Sequence, residues 1–195
     1  MPSHKNLPVE LDELLAAEFD YIAQTAVQAN EDRARVSSFY LIAVGSLVAA
    51  LFGTQLFDDE KFTVTVKLIF SGLFILLTLL GTSTIMQLGR LRAAWHESML
   101  AMNQLKDFAM KQSPELIEAF RWKTSTLPSR FKAGSVSYFQ AIEVSLITGL
   151  MFGTSAFFLI QTFMPVIGIQ HWGGSLLAGI LMVIIQLALY KKALT

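Results

Sequence analysis

The chain has 195 residues, of which 53% are hydrophobic and only 15% charged, against about 25% charged in an ordinary soluble domain. Its 15 basic and 15 acidic side chains cancel, so what matters is where the charges sit. Cysteine is absent, which excludes disulfides, thiolate metal sites and a cysteine nucleophile.

Residues 9–36 read as an amphipathic helix outside the membrane. Pro8 stands just ahead of a run that meets no further proline until Pro114, and proline suits a first helical turn. Leu11, Leu15, Ile22, Ala26 and Ala29 recur at helical steps and form one stripe. Glu10, Asp12, Glu13, Glu18, Asp20, Glu31 and Asp32 outweigh Arg33 and Arg35. An anionic lipid surface would repel such a helix, so the basic central segment is its expected partner. The helix is predicted to run unbroken into the first apolar block. A secretory signal would start with a short basic stretch, not this polar, acid-rich one, so the first block is expected to stay as an anchor.

Four blocks, 39–57, 66–88, 140–163 and 172–190, are apolar and each close to the ~20 residues that cross a ~30 Å hydrocarbon core. The fold class is therefore an all-α integral membrane protein, one membrane domain over 1–195, with four transmembrane helices in two hairpins. Arg90, Arg92, Lys106, Lys111, Arg121, Lys123, Arg130 and Lys132 lie in 89–136, between the second and third blocks, and Lys191 and Lys192 close the fourth. "MPVIGIQHWGG" carries no charge, and "TQLFDDEKF" has three acids and one lysine. This asymmetry predicts cytoplasmic termini, a cytoplasmic central segment and two short outer turns in a bacterial inner membrane. Lys67 departs mildly from the pattern. Phe39, Tyr40, Tyr138, Trp172 and Tyr190 stand at block edges, where amphipathic rings prefer the headgroup level. The acids Asp58 to Glu60 read as a plain surface turn in preference to a cation-gathering mouth.

Within 89–136, Leu91, Trp95, Ser98, Met102, Leu105 and Phe108 or Ala109 form a short heptad-like seam. "SPELIEAFRWK" predicts a second amphipathic helix, with Ser113 as N-cap and Leu116, Ile117 and Phe120 on one face. "TSTLPSRFKAGS" predicts a break before the third span. The halves echo each other, with "ALFGTQLF" at 50–57 against "LMFGTSAF" at 150–157 and "IMQL" at 85–88 against "IIQL" at 184–187. A parallel repeat would place the two hairpins about a pseudo-twofold axis along the membrane normal.

Gly45, Ala49 and Gly53 in the first span, and Ser145, Gly149 and Gly153 in the third, put small residues at every fourth position. Lipid supplies no hydrophobic force between helices, so such faces favour close backbone approach. Two uses follow, packing of the first span on the third within one chain, or oligomer contacts between chains.

No phosphate-cradling glycine loop, GxSxG elbow or HExxH motif occurs, and His4, His96 and His171 are too scattered for one site. His96 beside Glu97 reads as a solvated helix face. No enzyme activity, cofactor, metal or nucleic-acid partner is expected. Glu143 is the one acid near an apolar core. It shares a helix line with Thr154 and Gln161, within about 20° at ~100° per residue, and Gln140 lies about 60° away. That line would border a water path or a proton relay if it faced a cavity. The simpler reading makes Glu143 a boundary anchor or an ion-pair partner of Lys191 or Lys192, because Val144–Phe163 alone is uncharged and long enough to cross.

The order of a long amphipathic helix, "ELLAAEFDYIAQTAVQANEDRARVSSFY", then a close-spaced hairpin and a helical extension, resembles the SLATT-type small membrane effectors of bacterial conflict systems over residues 9–112. That resemblance implies a partner-triggered, oligomerising effector that disrupts membranes. Four spans where the family usually has two, and the lack of a recognisable sensor domain, depart from it. The functional expectation is a self-associating membrane protein, with lipid and copies of itself as partners and a channel or pore among its roles. A non-conducting adaptor that binds a cytoplasmic protein is the alternative.

Overall fold

A computed structural model describes residues 11–53 and 63–195, and all its regular structure is helical. The helices are α1 (Leu11–Gly53), α2 (Val64–Gln112), the single turn α3 (Leu116–Ala119), α4 (Val136–Phe163) and α5 (Ile169–Ala193), with a 3-10 turn at Thr124–Thr126. The predicted acidic turn Asp58 to Glu60 lies outside the described residues, as does Pro8.

Helix ends follow local chemistry. Thr63 and Ser135 lend their side-chain oxygens to Val66 N–H and Tyr138 N–H at the starts of α2 and α4. Gly134, at φ 76°, makes the left-handed turn into α4 that a side chain would resist. Pro114 and Pro165, just past α2 and α4, cannot continue a helix. Ser113 ends α2, its N–H bonding Ala109 O, instead of capping a second amphipathic helix. The predicted helix shrinks to the one turn of α3, with Leu116 and Phe120 half-buried and Ile117 exposed. Proline at 114 and the extended backbone at Phe120 leave it no room.

The 43 residues of α1 span about 65 Å and the 49 of α2 about 74 Å at 1.5 Å per residue, roughly twice a ~30 Å hydrocarbon core. Both therefore carry the same packing well beyond their apolar segments. One end of the bundle, the hairpin end, holds the α4–α5 turn. The other, the extension end, holds the far halves of α1 and α2 and the connector 113–135. Along the extensions Ile22, Ala26 and Ala29 of α1 are buried, and Thr25 Oγ1 meets Ser98 Oγ at 3.2 Å, within the heptad-like seam of α2. The contact between acidic and basic segments is apolar in substance. Among the described residues the ion pairs are Arg35 with Asp32 and Arg130 with Glu97, neither of which joins α1 to α2.

In the apolar half, α2 and α4 are central. α1 packs on α2, and α5 packs on α4 and more briefly on α2. The core joins Tyr40 and Val44 to Phe70, Phe74, Leu77, Ile85 and Leu88, then to Ala141, Val144, Met151, Tyr190 and Leu194. A twofold relation between the hairpins would match the long α2–α4 contact with an equal α5–α1 contact; among the described residues the chain makes no such contact. Tyr40 and Tyr190, expected at headgroup level, are 1% and 2% exposed and belong to this core. Trp172 and Phe39 do face outward.

Among the described residues, four helices are long and apolar enough to cross a membrane. Only 6% of the most apolar window of α5 and 17% of that of α1 is buried, and Ile42, Leu79, Leu150, Leu177 and Ile184 point away from the bundle. A water-soluble fold would hide such surface.

Candidate functional site

The two small-residue stripes have different fates. On α4, a β-carbon placed at Gly149 would stand 2.7 Å from Gly179 O, and one at Gly153 would stand 2.8 Å from Ser175 O. These glycines let α4 and α5 touch backbone to backbone, and the matching small residues on α5, Ser175 and Gly179, also sit four apart. Ser145 is fully buried, with its hydroxyl donating to Ala141 O at 2.6 Å. On α1, nothing among the described residues lies within 4 Å of a β-carbon placed at Gly45 or Gly53, and Ala49 is exposed. The first span packs on the second, and touches α4 only slightly.

The polar line on α4 does not assemble into one feature. Glu143 is exposed, and among the described residues it makes no ion pair with Lys191 or Lys192. Lys191 Nζ instead lies 5.5 Å from the centre of the Phe131 ring. Thr154 turns its hydroxyl back to Leu150 O at 2.8 Å, on the wall of an outward-facing groove of about 470 Å³ between α4 and α5. Leu150, on the same line, is exposed. Gln140 and Gln161 are half-buried, each with an Oε1 that has no hydrogen-bond partner.

Polar contacts that hydropathy does not reveal stitch the bundle. Tyr40 and Thr148 hydroxyls meet at 2.9 Å, Ser71 and Ser155 hydroxyls at 2.9 Å, and Gln186 Nε2 donates to Thr82 Oγ1 at 2.7 Å. At the hairpin end, His171 accepts from Gly168 N–H at Nδ1 and donates from Nε2 to Met164 O at 2.8 Å, which fixes the ring across the α4–α5 turn.

At the extension end three side chains of α2, at steps of four and seven, fasten the connector by its carbonyls. Arg92 Nε donates to Arg130 O at 3.3 Å, His96 Nε2 to Pro128 O at 3.0 Å and Asn103 Nδ2 to Lys123 O at 3.2 Å. His96 is thus a tether and not a solvated face, while its neighbour Glu97 is exposed and pairs with Arg130 at 2.9 Å. Helical spacing of 92, 96 and 103 was the signal for this stripe, masked because polar residues outside a membrane are usually solvated. Burial draws the pKa of Arg92 and Arg33 below the usual arginine value, and Arg92's charge lowers that of Arg33 further.

Among the described residues, no cluster of His, Asp or Glu is fit to hold a metal ion. Compared with known proteins, the chain matches no family model, no curated protein and no solved structure. Its function is therefore argued from its own residues.

Proposed function

We propose that the protein is a self-associating membrane protein, inserted with its extension end in the cytoplasm, and that copies meet through the small-residue face of α1. One observation carries this reading: Gly45, Ala49 and Gly53 offer a close-approach face that the described residues leave open, whereas α4 uses its own face within the fold. The lysines and arginines of the extension end favour this orientation. A channel or pore function, the role of an effector, belongs to the assembly. The axis of one chain is filled by Phe70, Phe74, Leu77 and Val144, so a conduit would run between copies.

The absence of cysteine gives a clean test. Ala49→Cys in native membranes, oxidised briefly, is expected to yield a covalent dimer, while Leu181→Cys on the outer face of α5 stays monomeric. Equal cross-linking at both positions, or none at Ala49→Cys, overturns the reading. Ion release from liposomes holding the cross-linked assembly then separates a conducting from a silent oligomer.

An adaptor reading draws on a different feature. Leu15, Phe19, Leu105, Phe108, Leu116 and Phe120 line a groove of about 740 Å³ at the far tip of the extensions. Its apolar walls suit an amphipathic helix of a protein partner. Negligible flux from every assembled form would favour it.

A further inference from the structure

Two arginines come near each other at the extension end, and among the described residues neither is in an ion pair. Arg33 of α1 donates through Nη1 to Ser137 Oγ at the start of α4. The next residue, Tyr138, sets its ring 6.5 Å from that of Tyr190 near the end of α5. There α2 lies directly on α5: a β-carbon at Gly89 would stand 3.1 Å from Tyr190 O and 2.6 Å from Ala193 Cβ. Arg92, three residues on, is 7% exposed, with its guanidinium 4.2 Å from the centre of the Trp95 ring. Tyr190 lies within electrostatic reach of both guanidinium groups.

The hydrogen bonds of this cluster fall short of its donors. An arginine carries five N–H donors and stays charged. Arg92 spends one on Arg130 O. Arg33 spends one on Ser137, and its Nε is buried with no acceptor among the described residues. Among the described residues the carboxylates in ion pairs are Asp32 and Glu97, and these hold Arg35 and Arg130. Holding the half-buried Arg33 near the buried Arg92 is costly, and their mutual repulsion adds to the cost. A carboxylate would satisfy one fork; a phosphate, with several acceptor oxygens on one centre, can take donors from both.

We infer that Arg33 and Arg92, with the hydroxyls of Ser137 and Tyr190, form a binding site for a phosphate group. Arg33 precedes the first apolar block by a few residues and Arg92 follows the second by a few. In the orientation proposed above, on which this step of the inference rests, that is the depth of inner-leaflet phospholipid phosphates. Free inorganic phosphate is the other source of the same chemistry.

The test uses the full chain in a neutral detergent, with thermal unfolding followed by helical circular dichroism at constant ionic strength. Phosphatidylglycerol, a phosphodiester, or inorganic phosphate is expected to raise the midpoint saturably, while phosphatidylcholine or chloride does not. A response to phosphatidylglycerol alone names the lipid as source, and one to inorganic phosphate names the free ion. Arg33→Gln and Arg92→Gln should each weaken the response by about tenfold or more, as for loss of a charged hydrogen bond. Arg33→Lys, which keeps the charge and loses the fork, should also weaken it, and the exposed Arg90→Gln should not. If Arg92→Gln does not fold, the two Arg33 variants decide. No saturable response in the wild type, or equal loss in Arg90→Gln and Arg33→Gln, overturns the site. Extraction of the protein from membranes by alkaline carbonate would overturn insertion instead, and leaves the inorganic-phosphate arm standing.

Discussion

Gly81 sits where α1, α2 and α4 meet, and its missing side chain is a structural requirement. A β-carbon there would stand 2.1 Å from Thr148 Oγ1 and 2.7 Å from the Tyr40 hydroxyl, the two groups that bond each other across the core. Gly81→Ala is therefore expected to cost about 1–3 kcal/mol, the usual range for overpacking. Thermal unfolding in detergent would show it as a lower midpoint, and adding Thr148→Ala should recover part of the loss. Gln186 poses the opposite case. It is fully buried, its Nε2 bonds Thr82, and its Oε1 has no partner among the described residues. Interhelical hydrogen bonds in membranes average only ~0.6 kcal/mol, and an unmet buried acceptor costs about 1–3 kcal/mol. Gln186→Leu, of similar volume, should leave the unfolding midpoint unchanged or raise it, whereas Gln186→Ala should lower it by opening a cavity. A drop with leucine as large as with alanine would mean that the amide is needed as a polar group.

At the scale of elements, the same substitution should act differently on two helices. Leucine at Gly149 must displace Gly179 O and Val183, which stand 2.7 Å and 2.5 Å from a β-carbon, so α4 and α5 would part within the chain. A β-carbon at Gly45 meets nothing within 4 Å among the described residues. Gly149→Leu is expected to lower the unfolding midpoint of the monomer, and Gly45→Leu to leave it in place while reducing the oligomeric fraction seen by single-molecule photobleaching. The contrast shows what could be read from residue order alone. Uninterrupted apolar runs bounded by proline, glycine and charge placed all four long helices, and the spacing of Leu15, Ile22, Ala26 and Ala29 found the inner face of the α1 extension. Which helix packs on which was not legible, because a face toward lipid and a face toward a core are equally apolar. Tyr40 and Tyr190 stand at block edges in the sequence, and their burial in the core is not visible there. Glu143 stands out in the sequence as a charge beside an apolar run, while the polar groups that structure the protein, Arg33, Arg92, His96 and Gln186, are ordinary by type and become distinctive only through their contacts.

Across the whole molecule, the apolar bundle and the helical extensions form one continuous body without a hinge, since α1 and α2 each run through both parts unbroken. The extension tip is thus joined to the apolar segments by two continuous helical rods. How the rods adhere decides what disturbs them. Charge complementarity between the acidic α1 extension and the basic residues of α2 suggests a salt-sensitive joint, but no ion pair joins the two helices among the described residues. Ile22, Ala26 and Ala29 are buried along it instead, and Lys106 Nζ lies 5.7 Å from the centre of the Phe19 ring. Exposed charges a Debye length apart, about 10 Å at 0.1 M, are already screened, and burial of apolar surface does not weaken as salt rises. Hydrogen exchange of the amides over residues 22–29 should thus change little between about 0.05 and 0.5 M sodium chloride, within a factor of two, well below one decade of screening-sensitive stability. Ile22→Asp, by contrast, places an unpaired carboxylate in that contact, and should speed exchange over the same residues at every salt concentration. Strong loss of protection with salt in the unaltered chain would show that charge, and not apolar burial, holds the extensions together.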